Sequence, residues 1–311
     1  MKNEVAAICP IYDMRGHLNL GVNLLRSKIQ YAEDVDLYFV FSFKEHKDKF
    51  DKLLSSDEAK VYSFIMMPEE ELKYKSQPTV KKLYAIRELK DTYKYLIPID
   101  SESLFIKKGD YKALCDEIWE SRSFLNANYS PHACTIQRRC FMTMGMYDNI
   151  KLVRETKYFN YNIWFNEIPV YKCELLNEFF DFLDSYSNTS WKNEWDCYDY
   201  YIFMAFLIIK KGYKLKRFKY EAIGGAVEYL PQFSEKQQYK ILSSMQSHWS
   251  SSNVQNENTY MLFHLDRDED NKNYGLDNYK ESLRAGRKYL TKIYAEEMYY
   301  SFRMFIRSFF R

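Results

Sequence analysis

Asp100 and Glu102 stand one residue apart at the end of a short apolar run, Tyr95-Leu96-Ile97-Pro98-Ile99. Residues two apart on an extended strand point the same way, so both carboxylates aim at one spot just past the run. Two hard oxygen donors on one small target suit Mg²⁺ or Mn²⁺, above all when substrate phosphates complete the coordination. An isolated Asp-x-Glu also serves as a plain solvated turn, so the elements around it decide its worth. A second acidic pair, Asp196 and Asp199, opens an apolar stretch at about residues 196–211, just after a Trp-bearing polar loop. Acids at the front of a helix cap it or meet its dipole. At the mouth of a buried helix they also stand where a general base would.

The elements that must position these acids follow from periodicity. Val5 to Tyr12 reads as a buried strand ending near Pro10, and Leu18 to Ile29 as a helix. Asp36 to Phe43 is a second strand, residues 44–57 a charged helix, and Val61 to Ile65 a third strand. Thr79 to Leu89 is helical, and residues 94–100 are a fourth strand. Strands alternating with helices predict βαβ units and a parallel sheet. Right-handed crossovers then bring the loops after Tyr12 and Phe43 and the Asp100/Glu102 pair to one rim. Open α/β sheets bind their ligands at that rim. Neither G-x-G-x-x-G nor the Walker loop is present. A phosphate-bearing ligand therefore needs another anchor, and a metal on Asp100 and Glu102 would supply it.

Beyond residue 110 the alternation fades. Tyr111 to Ser121 predicts a helix, residues 129–172 read as irregular and aromatic, and Glu174 to Tyr186 is strongly helical. Tyr213 to Tyr220 predicts a strand followed by the paired glycines Gly224 and Gly225, and Tyr260 to Arg267 a last short strand. Residues 1–267 form the expected main domain, its halves meeting near residue 110, and residues 268–311 a tail.

Composition narrows the class. The 311 residues are 46 % hydrophobic and 18 % aromatic, enough for a substantial core, while 9 Gly and 7 Pro argue against disorder. The six cysteines contain no C-x-x-C pair, which disfavours a zinc site or a disulfide scaffold and fits reduced thiols in the cytoplasm. No run of about 18 uncharged apolar residues predicts a membrane span, and the broken run Val5 to Ile11 is too short for a signal peptide. Residues 280–311 carry eight Lys/Arg against three Glu, and the other residues 37 Lys/Arg against 40 Asp/Glu. A mildly acidic body with a basic end is a poor nucleic-acid footprint and a better membrane-surface one. In residues 298–311, Arg303, Arg307 and Arg311 fall on one helical face, and Phe302, Phe305, Ile306, Phe309 and Phe310 on the other. That pattern predicts an amphipathic helix at an anionic membrane interface, on the inner face of the cell membrane, or else a helix docked on the domain or on a dimer partner.

The chain resembles bacterial GT-A glycosyltransferases of the type that builds capsule or lipooligosaccharide. The resemblance is carried by Ile8-Cys-Pro-Ile-Tyr12, Ile97-Pro-Ile-Asp100-Ser-Glu102, the acidic opening at Glu194 to Asp199 and the basic aromatic tail, and it covers residues 1–267 for the fold. It implies a mostly parallel central sheet flanked by helices, a nucleotide-sugar donor (a UDP-sugar first) and a glycan or lipid-linked glycan acceptor. It implies Mn²⁺ or Mg²⁺ held by Asp100 and Glu102, with Glu in place of the usual second Asp. His264, or failing that His248, is the implied third ligand. Pro10, Tyr12 and Arg15 would border the nucleotide base, while Ser101 beside Asp100 and the lysines Lys81 and Lys82 would meet the donor's diphosphate. Asp196 or Asp199 would be the base if the transfer inverts, a retaining transfer needing no such base, and Trp164 and Trp191 would stack on acceptor sugars. Two other readings stay open: a nucleotidyltransferase on a similar sheet, and a non-catalytic peripheral membrane protein.

Overall fold

A computed structural model describes residues 3–14, 16–101, 103–105, 108–120, 126–129, 131–146, 161–164, 169–186, 189–195, 197–212 and 262–264. The expected strand at Tyr213 to Tyr220, the paired glycines and the tail at 298–311 lie outside these residues.

The amino-terminal half alternates as its periodicity predicts. β1 (Val5–Pro10), α1 (His17–Tyr31), β2 (Val35–Phe41), α2 (Lys44–Asp51), β3 (Ser63–Met66), α3 (Glu69–Leu72), α4 (Gln77–Leu89) and β4 (Tyr95–Pro98) follow in turn. The four strands pair in parallel in the order β3-β2-β1-β4. β1 lies between β2 and β4, and every one of its residues is buried, which is why its sequence is continuously apolar rather than alternating. Pro10 is tolerated because it closes the strand, and the next residue resumes the ladder, with Ile11 N–H donating to the Val40 carbonyl at 3.0 Å. α1 lies close over this end of the sheet. A Cβ added at Gly21 would stand 2.6 Å from Ile11 Cδ1 and 3.1 Å from Phe50 Cε2, so the absence of a side chain there sets the helix's approach.

Beyond β4 the architecture changes. β5 (Ser103–Phe105) leaves the main sheet, followed by α5 (Tyr111–Glu120), β6 (Asn126–Tyr129), α6 (Pro131–Thr143) and β7 (Tyr161–Trp164). β6 pairs with β7 antiparallel, from Asn126 opposite Trp164 to Tyr129 opposite Tyr161. The described residues of the stretch 129–172, expected to be irregular, include the helix α6 and the strand β7. The β6–β7 pair is hidden in sequence by Asn126 and Asn128 of β6, residues that disfavour strands, and by a distant partner. β8 (Tyr171–Lys172) adds antiparallel to β4, which makes the main sheet five-stranded. A 3-10 turn at Cys173–Leu175 leads into α7 (Leu176–Ser185), and a second at Thr189–Asn193 precedes α8 (Asp199–Ile209). α8 is buried along Tyr201–Ile208, as its unbroken apolar sequence requires. β9 (Leu262–His264) pairs antiparallel with β5. The mostly parallel sheet flanked by helices is the architecture expected, and no helix among the described residues is long and apolar enough to cross a membrane.

Candidate active site

The chain leaves β1 toward β2 on one side, and β4 sits on the other, so the strand order reverses between β1 and β4. Their carboxyl ends form the crevice where such sheets bind ligands. Ile11 and Tyr12 stand on the β1 side, with Ile99, Asp100 and Ser101 on the β4 side. Ile99 N–H donates to the Ile8 carbonyl at 2.8 Å, which keeps the β4 end against β1. The loop after β1 is tied to its surroundings in two places. His17 Nδ1 shares a hydrogen bond with Ser101 Oγ at 2.6 Å, and Asp13 pairs with Lys49 of α2. Of the shared rim predicted from the βαβ pattern, the loop after β1 contacts both α2 and the β4 end at Ser101, while Glu102 lies outside the described residues.

Asp100 presents a side chain that is 45 % exposed, and the Lys82 ammonium lies 2.8 Å from its Oδ1. Lys82 extends from the inner face of α4 and also reaches Asp199 Oδ1 at 3.9 Å. Asp199 is 2 % exposed, and its other oxygen accepts the Tyr171 hydroxyl at 2.9 Å. Asp100, Lys82, Asp199 and Tyr171 thus form one polar chain running from the rim into the core. Burial disfavours the Lys82 cation, but the carboxylates of Asp100 and Asp199 outweigh it and hold the ammonium above the ordinary lysine range. Burial pushes the Asp199 carboxyl up, against the pull of Lys82 and the Tyr171 hydrogen bond. Burial beside Asp199 likewise keeps the Tyr171 phenol protonated.

Lys81, the preceding residue, has a different setting. It is fully enclosed, its Nζ donates to the Ile11 carbonyl at 2.7 Å, and it lies 3.8 Å from the centre of the Tyr12 ring. Burial lowers its pKa to about 7. Tyr12 is half-buried, and His17 meets its ring edge-on at 5.5 Å.

Several expected roles meet this geometry differently. Lys81 faces a carbonyl and a ring rather than open solvent, so it is not placed to meet a phosphate. Asp199 is enclosed, with an oxygen on Tyr171 and another near Lys82, so an acceptor hydroxyl has no access to it in this arrangement. Trp191 is 5 % exposed and belongs to the core, whereas Trp195 of the same corner is 65 % exposed, braced edge-on by Tyr198 at 5.4 Å. Pro10 ends β1 beneath the crevice, and Ser101 is buried against His17. Arg15, Glu102, Asp196, His248 and the side chains of Trp164 and His264 lie outside the described residues. The β5–β9 register does set the His264 backbone opposite Ser103, one residue from Glu102 in sequence. Sequence reasoning missed His17 and Tyr171, because neither carries a spacing signal and their partners lie 84 and 28 residues away.

Among the described residues no three His, Cys, Asp or Glu side chains gather to enclose a metal. At the rim the partly exposed Asp100 carboxylate, an oxygen donor of the kind Mg²⁺ and Mn²⁺ take, stands at the crevice beside the Lys82 ammonium, and the β5–β9 register sets the His264 backbone opposite Ser103.

No known family model and no curated protein matches the chain. Similar solved structures include the galactosyltransferase LgtC in complex with donor and acceptor sugar analogs, at 10 % identity and a TM-score of 0.43 over 90 % of this chain and 95 % of that one. Mouse xyloside xylosyltransferase 1 in its apo form is similar at 11 % identity and a TM-score of 0.42, over 85 % and 97 % of the two chains. Core-mannan synthase A from Aspergillus fumigatus, in a Mn/GDP form, is similar at 9 % identity and a TM-score of 0.37, over 70 % and 73 %. These structures are glycosyltransferases.

Proposed function

We propose that the chain is a metal-dependent GT-A glycosyltransferase, moving a sugar from a nucleoside diphosphate-sugar to a hydroxyl of a cell-surface glycan precursor. A UDP-sugar is the first donor to test, and a capsule or lipooligosaccharide precursor the first acceptor. The observation that carries this reading is the exposed Asp100 carboxylate in the β1–β4 crevice, where the strand order reverses and ligands of open α/β sheets bind.

Each residue then has a physical task. Tyr12 offers an aromatic face to the nucleobase, with Arg15 of the same loop as a second candidate in place of the buried Pro10. Asp100 and Glu102, with His264, would hold Mn²⁺ or Mg²⁺. Such a cation, when bound, offsets the negative charge that develops on the departing nucleoside diphosphate. Lys82 holds Asp100 in place and keeps a second positive charge at the rim. Asp199 and Tyr171 fix Lys82 from below. An inverting transfer needs a carboxylate that can take the acceptor proton, and with Asp199 enclosed that task falls to Asp196. Trp164, and the exposed Trp195 in place of the buried Trp191, are the rings to offer an acceptor sugar. Residues 298–311 would hold the enzyme peripherally on the inner face of the membrane.

Titration calorimetry with UDP, GDP, CDP and ADP, each with and without Mn²⁺, tests the reading. At least one nucleotide should bind with metal only, and Asp100→Ala should abolish that binding. Absence of binding by every nucleotide in the presence of Mn²⁺ would sink the assignment.

A further inference from the structure

Lys81 has an unusual setting for a lysine. It is fully buried, and no carboxylate among the described residues acts on it. Lysines are seldom enclosed without a partner charge, because their desolvation is costly. A methionine of similar length would fill much the same space at less cost. The Lys81 ammonium meets two neighbours on the crevice wall, the carbonyl of Ile11 at 2.7 Å and the ring of Tyr12 at 3.8 Å.

Those contacts complete a set of restraints on the end of β1. Ile11 N–H is bonded to Val40 on one side, its carbonyl to Lys81 on the other, and its side chain packs against α1 at Gly21. Tyr12 follows directly. Lys81 lies against its ring, and His17, itself bonded to Ser101 on the β4 side, meets the ring edge-on. A desolvated ammonium against a ring is among the stronger cation–π arrangements. A half-buried ring held this way has little rotamer freedom left to lose when a flat ligand stacks on it.

We infer that Lys81 is a positioning residue for the donor's nucleobase: it fixes the Ile11 carbonyl and the Tyr12 ring so that the base meets an aromatic face already in place. The inference rests on the glycosyltransferase reading above. It assigns Lys81 a role toward the base instead of the phosphates, exercised through Tyr12 and without touching the ligand.

A double-mutant cycle tests it. The affinity of the best-binding nucleoside diphosphate with Mn²⁺ is measured for the wild type, Lys81→Met, Tyr12→Ala and the pair, and inorganic pyrophosphate with Mn²⁺ is measured in parallel. Lys81→Met should weaken the nucleotide roughly tenfold, the scale of one good cation–π contact, and leave pyrophosphate unchanged. In the Tyr12→Ala background, Lys81→Met should cost nothing further. Circular dichroism reports folding. Should Lys81→Met not fold, Lys81→Gln, which keeps a donor for the Ile11 carbonyl but loses the charge, should show an intermediate loss confined to the nucleotide. Equal losses for nucleotide and pyrophosphate, or a full loss in the Tyr12→Ala background, would overturn the role. If the wild type binds nucleotide and Lys81→Met binds it equally well, the role of Lys81 fails while the glycosyltransferase reading stands. If the wild type binds no nucleotide, it is that reading which fails.

Discussion

Two consecutive lysines on α4 face the two walls of the crevice and are held there by opposite physics. Residues adjacent on a helix diverge by about 100°, so Lys81 turns to the end of β1 and Lys82 to the end of β4. Lys82 is surrounded by carboxylates, which more than offset its burial and keep it charged. Lys81 has a carbonyl and a ring, and burial lowers it to about 7. The same side chain is thus a fixed cation on one wall and a titrating group on the other. A buried charge is set by what surrounds it, and burial alone says little about whether it stabilises.

The contrast is broken most directly at Lys82. Lys82→Met leaves Asp199 buried without its cation and frees Asp100. It should destabilise the fold by about 2–4 kcal/mol, somewhat below the range of about 3–5 kcal/mol for breaking a fully buried pair because Asp100 is partly solvated. Urea denaturation at pH 7 measures it, and a loss under about 1 kcal/mol would make the pair a surface one in energetic terms.

Lys81 should show the reverse dependence. Its folded pKa is depressed below the unfolded value, so the cost of its charge is fully present below about 7 and disappears as pH rises to the unfolded lysine range. Relative to Lys81→Met, the wild type should therefore gain stability as pH rises from about 7 to 10, by up to about 1 kcal/mol per pH unit. Denaturant midpoints of the two proteins across that range check it. Parallel pH profiles would mean that Lys81 titrates as an ordinary lysine.

The smallest effect sharpens the Lys82 side. Tyr171→Phe removes one hydrogen bond to Asp199 without changing the core's shape, and should cost about 1–2 kcal/mol because the acceptor is a buried carboxylate. Its cost should shrink in an Asp199→Asn background, where the acceptor carries no charge. Equal cost in both would disconnect Tyr171 from the polar chain.

Much of the crevice could be read from the chain. The runs at Val5–Pro10, Val35–Phe41, Ser63–Met66 and Tyr95–Pro98 announce themselves as strands, and the helical segments between them dictate a parallel sheet with one ligand-binding edge. The end of the last run puts Asp100 at that edge. The middle third was not legible: β6 and β7 pair across more than 30 residues, and no local pattern marks the pairing.

Sequence alone determined which residue types reach the rim, because alternation and crossover handedness are local or nearly local properties. It could not distinguish Lys81 from Lys82, Asp199 from a solvent-facing acid, or Trp191 from Trp195. Those differences arise where α4, α8 and the strand ends pack together. Burial and partner charges come from residues distant in the chain, and they determine whether a given side chain is a cation, an enclosed acid or an exposed ring.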